Sequence, residues 1–345
     1  MSDELYMRRA LELAKLGSGY TSPNPMVGCV VVHNGRIIGE GWHQAYGGPH
    51  AEVNAVAAVA DKSLLPQSRV YVTLEPCSHF GKTPPCADLL ISHGVQDVVI
   101  CNTDPNPLVA GRGIKKLLDT GAQVKVGVLE EEGLVLNKRF FTFQHQKRPF
   151  ILLKWAETAD GYVAGPGSEP VQISGKLAQR LVHKFRAEEQ AIMVGTNTAL
   201  ADNPRLNTRL WSGKNPLRVV LDTQLRLPQH LHLFDQSQPT VVYTYKKQEE
   251  RENLSFVQLD EKAPLLPQLL QDLYGRNVLS VLVEGGTRLL ESLLQAGLWD
   301  EAMLLKSKYK TLGSGIQAPA MTYGQLLDTQ TIGTDQLFHY RKLES

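Results

Sequence analysis

Four residues near the start of the chain have the types and spacing of a catalytic metal site. His50 and Glu52 are separated by one alanine, Cys77 follows Pro76, and Cys86 follows Pro84-Pro85. One imidazole and two thiolates fill three corners of a tetrahedral zinc site. The fourth corner stays open for water, which distinguishes a catalytic arrangement from a closed structural one. Zinc brings such a water toward a pKa of ~7, and Glu52 is close enough in sequence to take its proton and return it to a leaving group. Each residue alone has an ordinary explanation: a small buried cysteine, a capping histidine, a solvated helical glutamate. Their joint occurrence, with a proline before each cysteine, favours the metal. His79, two residues beyond Cys77, is the candidate fourth ligand of a closed site, but its preferred role is substrate contact. His33 and His43 receive no role.

These side chains need elements to hold them. Pro49 and Pro84-Pro85 suit first helical turns, so His50 and Cys86 are expected to open helices. Helix N-termini favour anions, which should lower the thiol pKa values. Around them, Leu5 to Lys15 reads as an amphipathic helix. Val27 to Val32 and Arg36 to Gly41 read as strands about an Asn34-Gly35 hairpin turn. Ala51 to Ala60 is expected to be helical, Val70 to Leu74 a strand, Ala87 to His93 a helix, Val98 to Asn102 a strand, Ile114 to Thr120 a helix and Val124 to Val128 a strand. Such alternation with short loops argues a three-layer α/β sheet. Phe140 to Arg148, mixed aromatic and basic, reads as a break, and the domain boundary is placed near residue 146. In the second half Ser174 reads as the N-cap of a helix to about Glu188. Ala191 to Val194, Arg218 to Leu221, Thr240 to Tyr245 and Leu279 to Val283 read as strands, and Thr287 to Gln295 as a helix ended at Gly297.

Composition narrows the possibilities. At 345 residues two domains are the better expectation. The 36 basic and 35 acidic residues nearly cancel, and no block of like charge forms a polyanion-binding arm, which argues against nucleic acid as partner. No apolar run reaches the ~18 residues of a membrane span. Met1-Ser2-Asp3-Glu4 resembles neither a secretory signal nor a transit peptide. Two of the four cysteines fall in the metal spacing and the others, Cys29 and Cys101, lie in apolar stretches, so a reducing cytoplasmic compartment is expected. The composition leaves room for a homo-oligomer.

A second set of segments surrounds strand ends: Lys154 to Gly161, Val194 to Pro204, and Val283-Glu284-Gly285-Gly286-Thr287. The last leads from strand into helix and is a suitable phosphate seat. No G-x-G-x-x-G is present, so a Rossmann domain is not supported.

The H-x-E and P-C pattern with a second cysteine is the signature of zinc nucleoside deaminases, although eight residues separate Cys77 and Cys86 where P-C-x-x-C has two. Thr21 to Val30, His50 to Ala55, Thr73 to Cys86 and Asp104 to Gly113 closely resemble the bifunctional deaminase–reductase family of riboflavin biosynthesis, whose own pattern has the long cysteine interval. The later segments resemble that family's reductase half. The resemblance implies an α/β protein of two domains. Residues 1–146 would form a three-layer cytidine-deaminase-like domain and residues 147–345 a dihydrofolate-reductase-like domain. It implies one zinc ion per chain, held by His50, Cys77 and Cys86, with Glu52 as proton shuttle. Asn24 and His79 would touch a small phosphorylated pyrimidine, 2,5-diamino-6-(5-phosphoribosylamino)pyrimidin-4(3H)-one, which loses its 2-amino group. NADPH would then reduce the ribosyl group to ribityl. Thr198, Asp202, Thr223, Gly286, Thr287, Arg288 and Leu289, within a segment running to Ser292, would bind the cofactor. Arg186, Leu206, Arg209 and Glu284 would bind substrate, and Asp202 would serve catalysis at the sugar. The chain departs from the usual pattern at Thr158, commonly Ser, and at Gln172-Ile173-Ser174, commonly Trp-Ile-Thr. The loop Gly165 to Pro170 is irregular as well. Three other readings are a monofunctional deaminase with a non-catalytic nucleotide-binding C-terminal domain, a nucleic-acid deaminase, and a zinc-stabilised interaction module.

Overall fold

The structure, a computed structural model, describes residues 2–78, 84–106, 110–167 and 171–343. His79 and parts of the segments 104–113 and 165–170 lie outside the described residues. The chain forms two compact units, Met1–Lys147 and Arg148–Ser345. Among the described residues no helix is long and apolar enough to cross a membrane.

The first unit runs α1 (Asp3–Lys15), β1 (Gly28–His33), β2 (Arg36–Trp42), α2 (Ala51–Ala58), β3 (Arg69–Leu74), α3 (Cys86–Ser92), β4 (Asp97–Asn102), α4 (Arg112–Asp119), β5 (Gln123–Val126), α5 (Glu130–Leu136) and α6 (Lys138–Gln146). Among the described residues the strands form one sheet in the order β2-β1-β3-β4-β5. β1 is antiparallel to both neighbours, and β3, β4 and β5 are parallel. The hairpin closes with His33 opposite Arg36, and Asn34 and Gly35 take the positive φ that a two-residue turn requires.

Alternate residues of each strand point to opposite faces. Cys29, Val31, Val70, Val72, Val98 and Ile100 pack with Ala51, Ala55 and Val56 of α2, Leu90 of α3 and Leu117 of α4. Val30, Val32, Tyr71, Val99 and Cys101 pack with Tyr6, Met7, Ala10 and Leu11 of α1. The result is a three-layer unit. Helix α2 lies directly on the backbone of β2: a Cβ at Gly41 would stand 2.3 Å from the Ala55 nitrogen, and one at Gly39 would stand 2.4 Å from the Ala55 oxygen. That close approach fixes the end of α2 that carries His50 and Glu52.

The break expected over Phe140 to Arg148 is instead mostly helix α6. Phe140, Phe141 and Phe143 are buried there, and Lys147 ends the helix in the left-handed conformation. Aromatic side chains supplied an apolar face that their mixture with basic residues disguised.

The second unit runs β6 (Phe150–Glu157), β7 (Tyr162–Ala164), α7 (Lys176–Glu188), β8 (Ala191–Gly195), α8 (Thr196–Asp202), β9 (Leu217–Leu221), β10 (Thr240–Thr244), β11 (Leu254–Gln258), α9 (Leu265–Gly275), β12 (Ser280–Val283), α10 (Thr287–Gln295), β13 (Glu301–Ser307), β14 (Ile316–Gln317), β15 (Gly324–Ile332) and β16 (Asp335–Lys342). Its main sheet among the described residues has the order β11-β10-β9-β8-β12-β6-β13-β16-β15. Strands β11 to β13 in that order are parallel, and β16 and β15 are antiparallel additions. Leucines of α9 and α10 cover one face, with Leu153, Met193, Val281 and Val283 beneath them. Phe185 of α7 and Leu233 and Phe234 cover the other, over Leu152, Ile192, Val220 and Leu282. Burial on both faces explains the continuous apolar runs of these strands. Ser174 does not cap α7. Gly175 holds that position, and its N–H is taken by the Asp335 carboxylate at 2.8 Å.

Candidate active sites

In the first unit three segments converge. His50 is the N-cap residue of α2, Cys77 lies in the turn after β3, and Cys86 is the first residue of α3. The His50 Nδ1 lies 3.6 Å from the Cys77 sulfur and 3.3 Å from the Cys86 sulfur. All three donor atoms fall within 4.8 Å of one another. The turn is locked from both ends: the Cys86 N–H donates to the Cys77 sulfur at 3.3 Å, and the Ala87 N–H donates to the Cys77 carbonyl at 3.1 Å.

Hydrogen bonding from Cys86, aided by His50, outweighs burial and holds the Cys77 thiol down at about 4. The Cys86 thiol is pushed up, first by its hydrogen bond with Cys77 and then by burial. The two sulfurs hydrogen-bond to each other, so while one is a thiolate the proton stays on the other. A divalent cation would replace that proton, since a metal binds thiolates. One imidazole nitrogen and two sulfurs make a suitable donor set for a tetrahedral cation with an open position.

Glu52 is 3% exposed. Burial, followed by the Cys77 thiolate, raises its carboxyl to about 7. A carboxyl so placed can both hold and release a proton near neutrality. Two neighbours escaped the sequence reading. His43 is buried, with Nδ1 donating to the Pro49 carbonyl at 3.0 Å and Nε2 facing the Asn24 amide at 3.2 Å. Its ring centre lies 5.5 Å from that of His50, so it ties Asn24 to the entry of α2. Glu75 is also buried, and its carboxylate accepts the backbone N–H groups of Asp104, Gly111, Gly113 and Ile114 at 2.9–3.3 Å. That carboxylate holds the described ends of the 104–113 segment against the Cys77 turn.

In the second unit the segments singled out from sequence meet at the carboxyl ends of parallel strands, where α/β sheets characteristically bind ligands. Glu284 follows β12 and pairs with Arg186 of α7 through two hydrogen bonds of 2.7 Å. Arg186 also donates to the Asn207 carbonyl at 3.2 Å, so its fork faces protein groups. Burial alone would raise the Glu284 carboxyl, but Arg186 and Lys154 bring it down to about 2. Lys154 was not assigned a role from sequence. Leu153 lies opposite Val283 in the register of β6 and β12, which brings the next residues, Lys154 and Glu284, side by side. Burial lowers the Lys154 pKa against the pull of Glu284.

Arg209 is exposed; its backbone N–H donates to the His183 Nδ1 at 3.2 Å. Leu206 is buried in the apolar core in the left-handed conformation, so its side chain faces protein. Asp202 ends α8 with solvent access, yet sits low enough that desolvation raises its carboxyl. Thr198, on the same helix, abuts the glycine turn: a Cβ on Gly286 would stand 3.2 Å from its hydroxyl, and one on Gly285 would stand 3.3 Å from its methyl. Both glycines have positive φ, so the turn needs glycine for space and for conformation. Thr287 and Arg288 form the first turn of α10, and Leu289 is buried behind it. Thr223 lies in the turn after β9, where its carbonyl accepts the Tyr245 N–H. The Gln172 side-chain amide donates to the Ser174 carbonyl at 3.0 Å.

Burial, followed by Arg186 and Arg209, depresses His183 to about 4. The unfolded chain therefore binds the extra proton between about pH 6.5 and 4, and stability present above that window is lost on acidification through it. From pH 7 to pH 5 this one group should cost about 2 kcal/mol. Urea unfolding of the reductase unit should show that loss, and His183→Gln should remove most of it; equal pH sensitivity in the variant would contradict the assignment.

Comparison with known proteins extends along the whole chain. Residues 1–102 match the family described as the cytidine and deoxycytidylate deaminase zinc-binding region, and residues 149–333 match the RibD C-terminal domain. Riboflavin biosynthesis protein RibD of Aquifex aeolicus is 42% identical over 319 residues, covering 91% of this chain and 89% of that protein. The RibD of Escherichia coli K12 is 40% identical over 333 residues, with 91% and 89% covered. A solved structure from Thermotoga maritima, a diaminohydroxyphosphoribosylaminopyrimidine deaminase/5-amino-6-(5-phosphoribosylamino)uracil reductase, aligns with a TM-score of 0.90 at 38% identity, covering 99% of this chain and 98% of that one. The first unit thus has a cytidine-deaminase-like fold and the second a dihydrofolate-reductase-like fold. Matches in both halves leave a monofunctional deaminase without support. The chain belongs to the RibD family of riboflavin biosynthesis and joins a deaminase and a reductase in one polypeptide.

Proposed function

We propose that this chain deaminates 2,5-diamino-6-(5-phosphoribosylamino)pyrimidin-4(3H)-one and then reduces the product, 5-amino-6-(5-phosphoribosylamino)uracil, to its ribityl form, in the cytoplasm. The deaminase domain spans residues 1–146 and the reductase domain residues 147–345. The observation that carries the first step is the convergence of three metal-donor atoms within 4.8 Å beside a buried carboxyl. His50, Cys77 and Cys86 hold one zinc ion, which supplies a nucleophilic water of lowered pKa when bound. Glu52 accepts a proton on its carboxylate and passes it to the departing ammonia, so one water enters and one ammonia leaves. Asn24, aligned by His43, orients the pyrimidine. His79, outside the described residues, is assigned to the same substrate.

In the reductase domain Thr198, Asp202, Thr223 and the turn from Gly286 to Leu289 hold NADPH, which supplies hydride when bound. The closely packed glycine turn at the start of α10 supports this placement, because its first N–H groups suit a phosphate. Arg209 binds the substrate phosphate, while Arg186, Glu284 and the Leu206 segment shape the substrate site. Asp202, its carboxyl raised by desolvation, gives a proton to the sugar ring oxygen as the ring opens.

The test supplies purified protein with the diamino substrate and records ammonia and NADPH absorbance together. Ammonia release followed by NADPH consumption is expected. Ammonia release at constant NADPH absorbance would remove the reductase reading, and no ammonia at all would remove the deaminase reading. Asp202→Asn should lower reduction of directly supplied intermediate by roughly 10²-fold and leave ammonia release unchanged. Reduction at the normal rate would take Asp202 out of the chemistry.

A further inference from the structure

Between Asp202 and Arg209 the backbone makes an unusual path. Asn203 and Leu206 both have positive φ, at 40° and 50°. Asn203 closes α8 in a region that asparagine adopts readily, whereas a leucine such as Leu206 stays there only where its surroundings over-determine it. The surroundings here are specific. Arg218, on β9, is 1% exposed. Its Nε and Nη2 both donate to the Arg205 carbonyl, at 3.1 and 2.9 Å. Its Nη1 donates to the His232 carbonyl at 3.0 Å and to Asp235 at 2.8 Å. The His232 N–H in turn donates to the Asn203 side-chain oxygen at 2.8 Å. Gln238, also buried, donates to the Leu206 carbonyl at 3.3 Å and to the Pro216 carbonyl at 2.7 Å. A buried guanidinium with three hydrogen-bonded groups around it forms a rigid fork that lysine cannot reproduce.

We propose that Arg218 is a positioning residue of the reductase site, holding the 202–209 segment so that Asp202 and Arg209 reach the two ends of one phosphorylated sugar. The proposal rests on the reading above that Arg209 binds the phosphate. Arg218 itself is enclosed by protein and acts through the Arg205 carbonyl, with Gln238 as a second clamp one residue further along.

The test measures reduction of 5-amino-6-(5-phosphoribosylamino)uracil and of its dephosphorylated analogue by the full-length protein. The quantity read is the ratio of their kcat/KM values. Arg218→Lys should lower this preference for the phosphorylated substrate on the order of tenfold, mainly through KM, while ammonia release from the diamino substrate stays at the wild-type rate. A role confined to stability would lower the melting temperature and leave the ratio unchanged, and that result would overturn the proposal. Arg209→Ala separates the two levels. A collapsed ratio in Arg209→Ala with a normal ratio in Arg218→Lys removes only the positioning role. A normal ratio in Arg209→Ala removes the phosphate assignment and the proposal with it. If Arg218→Lys does not fold, Gln238→Leu is read the same way: a reduced ratio supports the clamp, and an unchanged ratio overturns it.

Discussion

Replacing Glu52 by Gln is expected to slow deamination by roughly 10²–10⁴-fold, the range that a positioned acid–base group supplies. Glutamine keeps the size of the side chain and its place on α2, where Glu52 is 3% exposed, so packing should survive. It cannot carry the proton from water to ammonia. The three donor atoms of His50, Cys77 and Cys86 are untouched, so bound zinc measured by elemental analysis should remain near one per chain. Reduction of directly supplied intermediate should also continue. The combination matters, because an inactive variant that had lost its metal would report on folding. A variant deaminating within tenfold of wild type would remove Glu52 from the chemistry.

Glu284→Gln should have the largest effect on stability. The carboxylate and Arg186 are about a tenth exposed at the side chain, and Lys154 lies beside them. Removing one member of a buried pair leaves the other charge uncompensated, which costs about 3 kcal/mol or more. For a unit of this size that corresponds to a melting temperature lower by roughly 10 °C. Reduction should fall with it, whereas deamination at moderate temperature should not. Replacing both partners, Glu284→Gln with Arg186→Met, should recover part of the lost stability, because no unpaired arginine remains and only Lys154 is left without the carboxylate. A single variant as stable as wild type would show that the pair contributes nothing.

How far the sequence speaks for the site depends on the distance over which each contact is made. His50, Cys77 and Cys86 could be grouped because prolines and helix starts mark them locally, and the structure brings their donor atoms together. The hairpin at Asn34-Gly35 and most core strands were legible for the same reason, a short-range turn signal or an apolar run. His43 was not, because its partners are Asn24 and the Pro49 carbonyl and neither proximity is written in spacing. Lys154 beside Glu284 follows from pairing two strands far apart in sequence, which periodicity does not reveal. The pairing of Arg186 with Glu284 joins residues 98 apart in sequence, and spacing does not reveal it. Ser174 had the chemistry of an N-cap and lost the position to Gly175, whose N–H is held by Asp335 from the other end of the unit.

The placement of β6 in its sheet has a consequence for how the protein is made. Both neighbours of β6 come late: Phe150 pairs with Ser280, and Leu152 with Glu301. The apolar strand Phe150–Trp155 therefore leaves the ribosome well over a hundred residues before anything it can pair with. At about 5–20 residues per second it waits on the order of ten seconds, exposed to every other unpaired edge in its surroundings. Non-local pairing of this kind makes folding slow and leaves it open to aggregation. The centre of the reductase sheet thus becomes possible only late in synthesis, and chain ends truncated before β13 leave β6 with an open side.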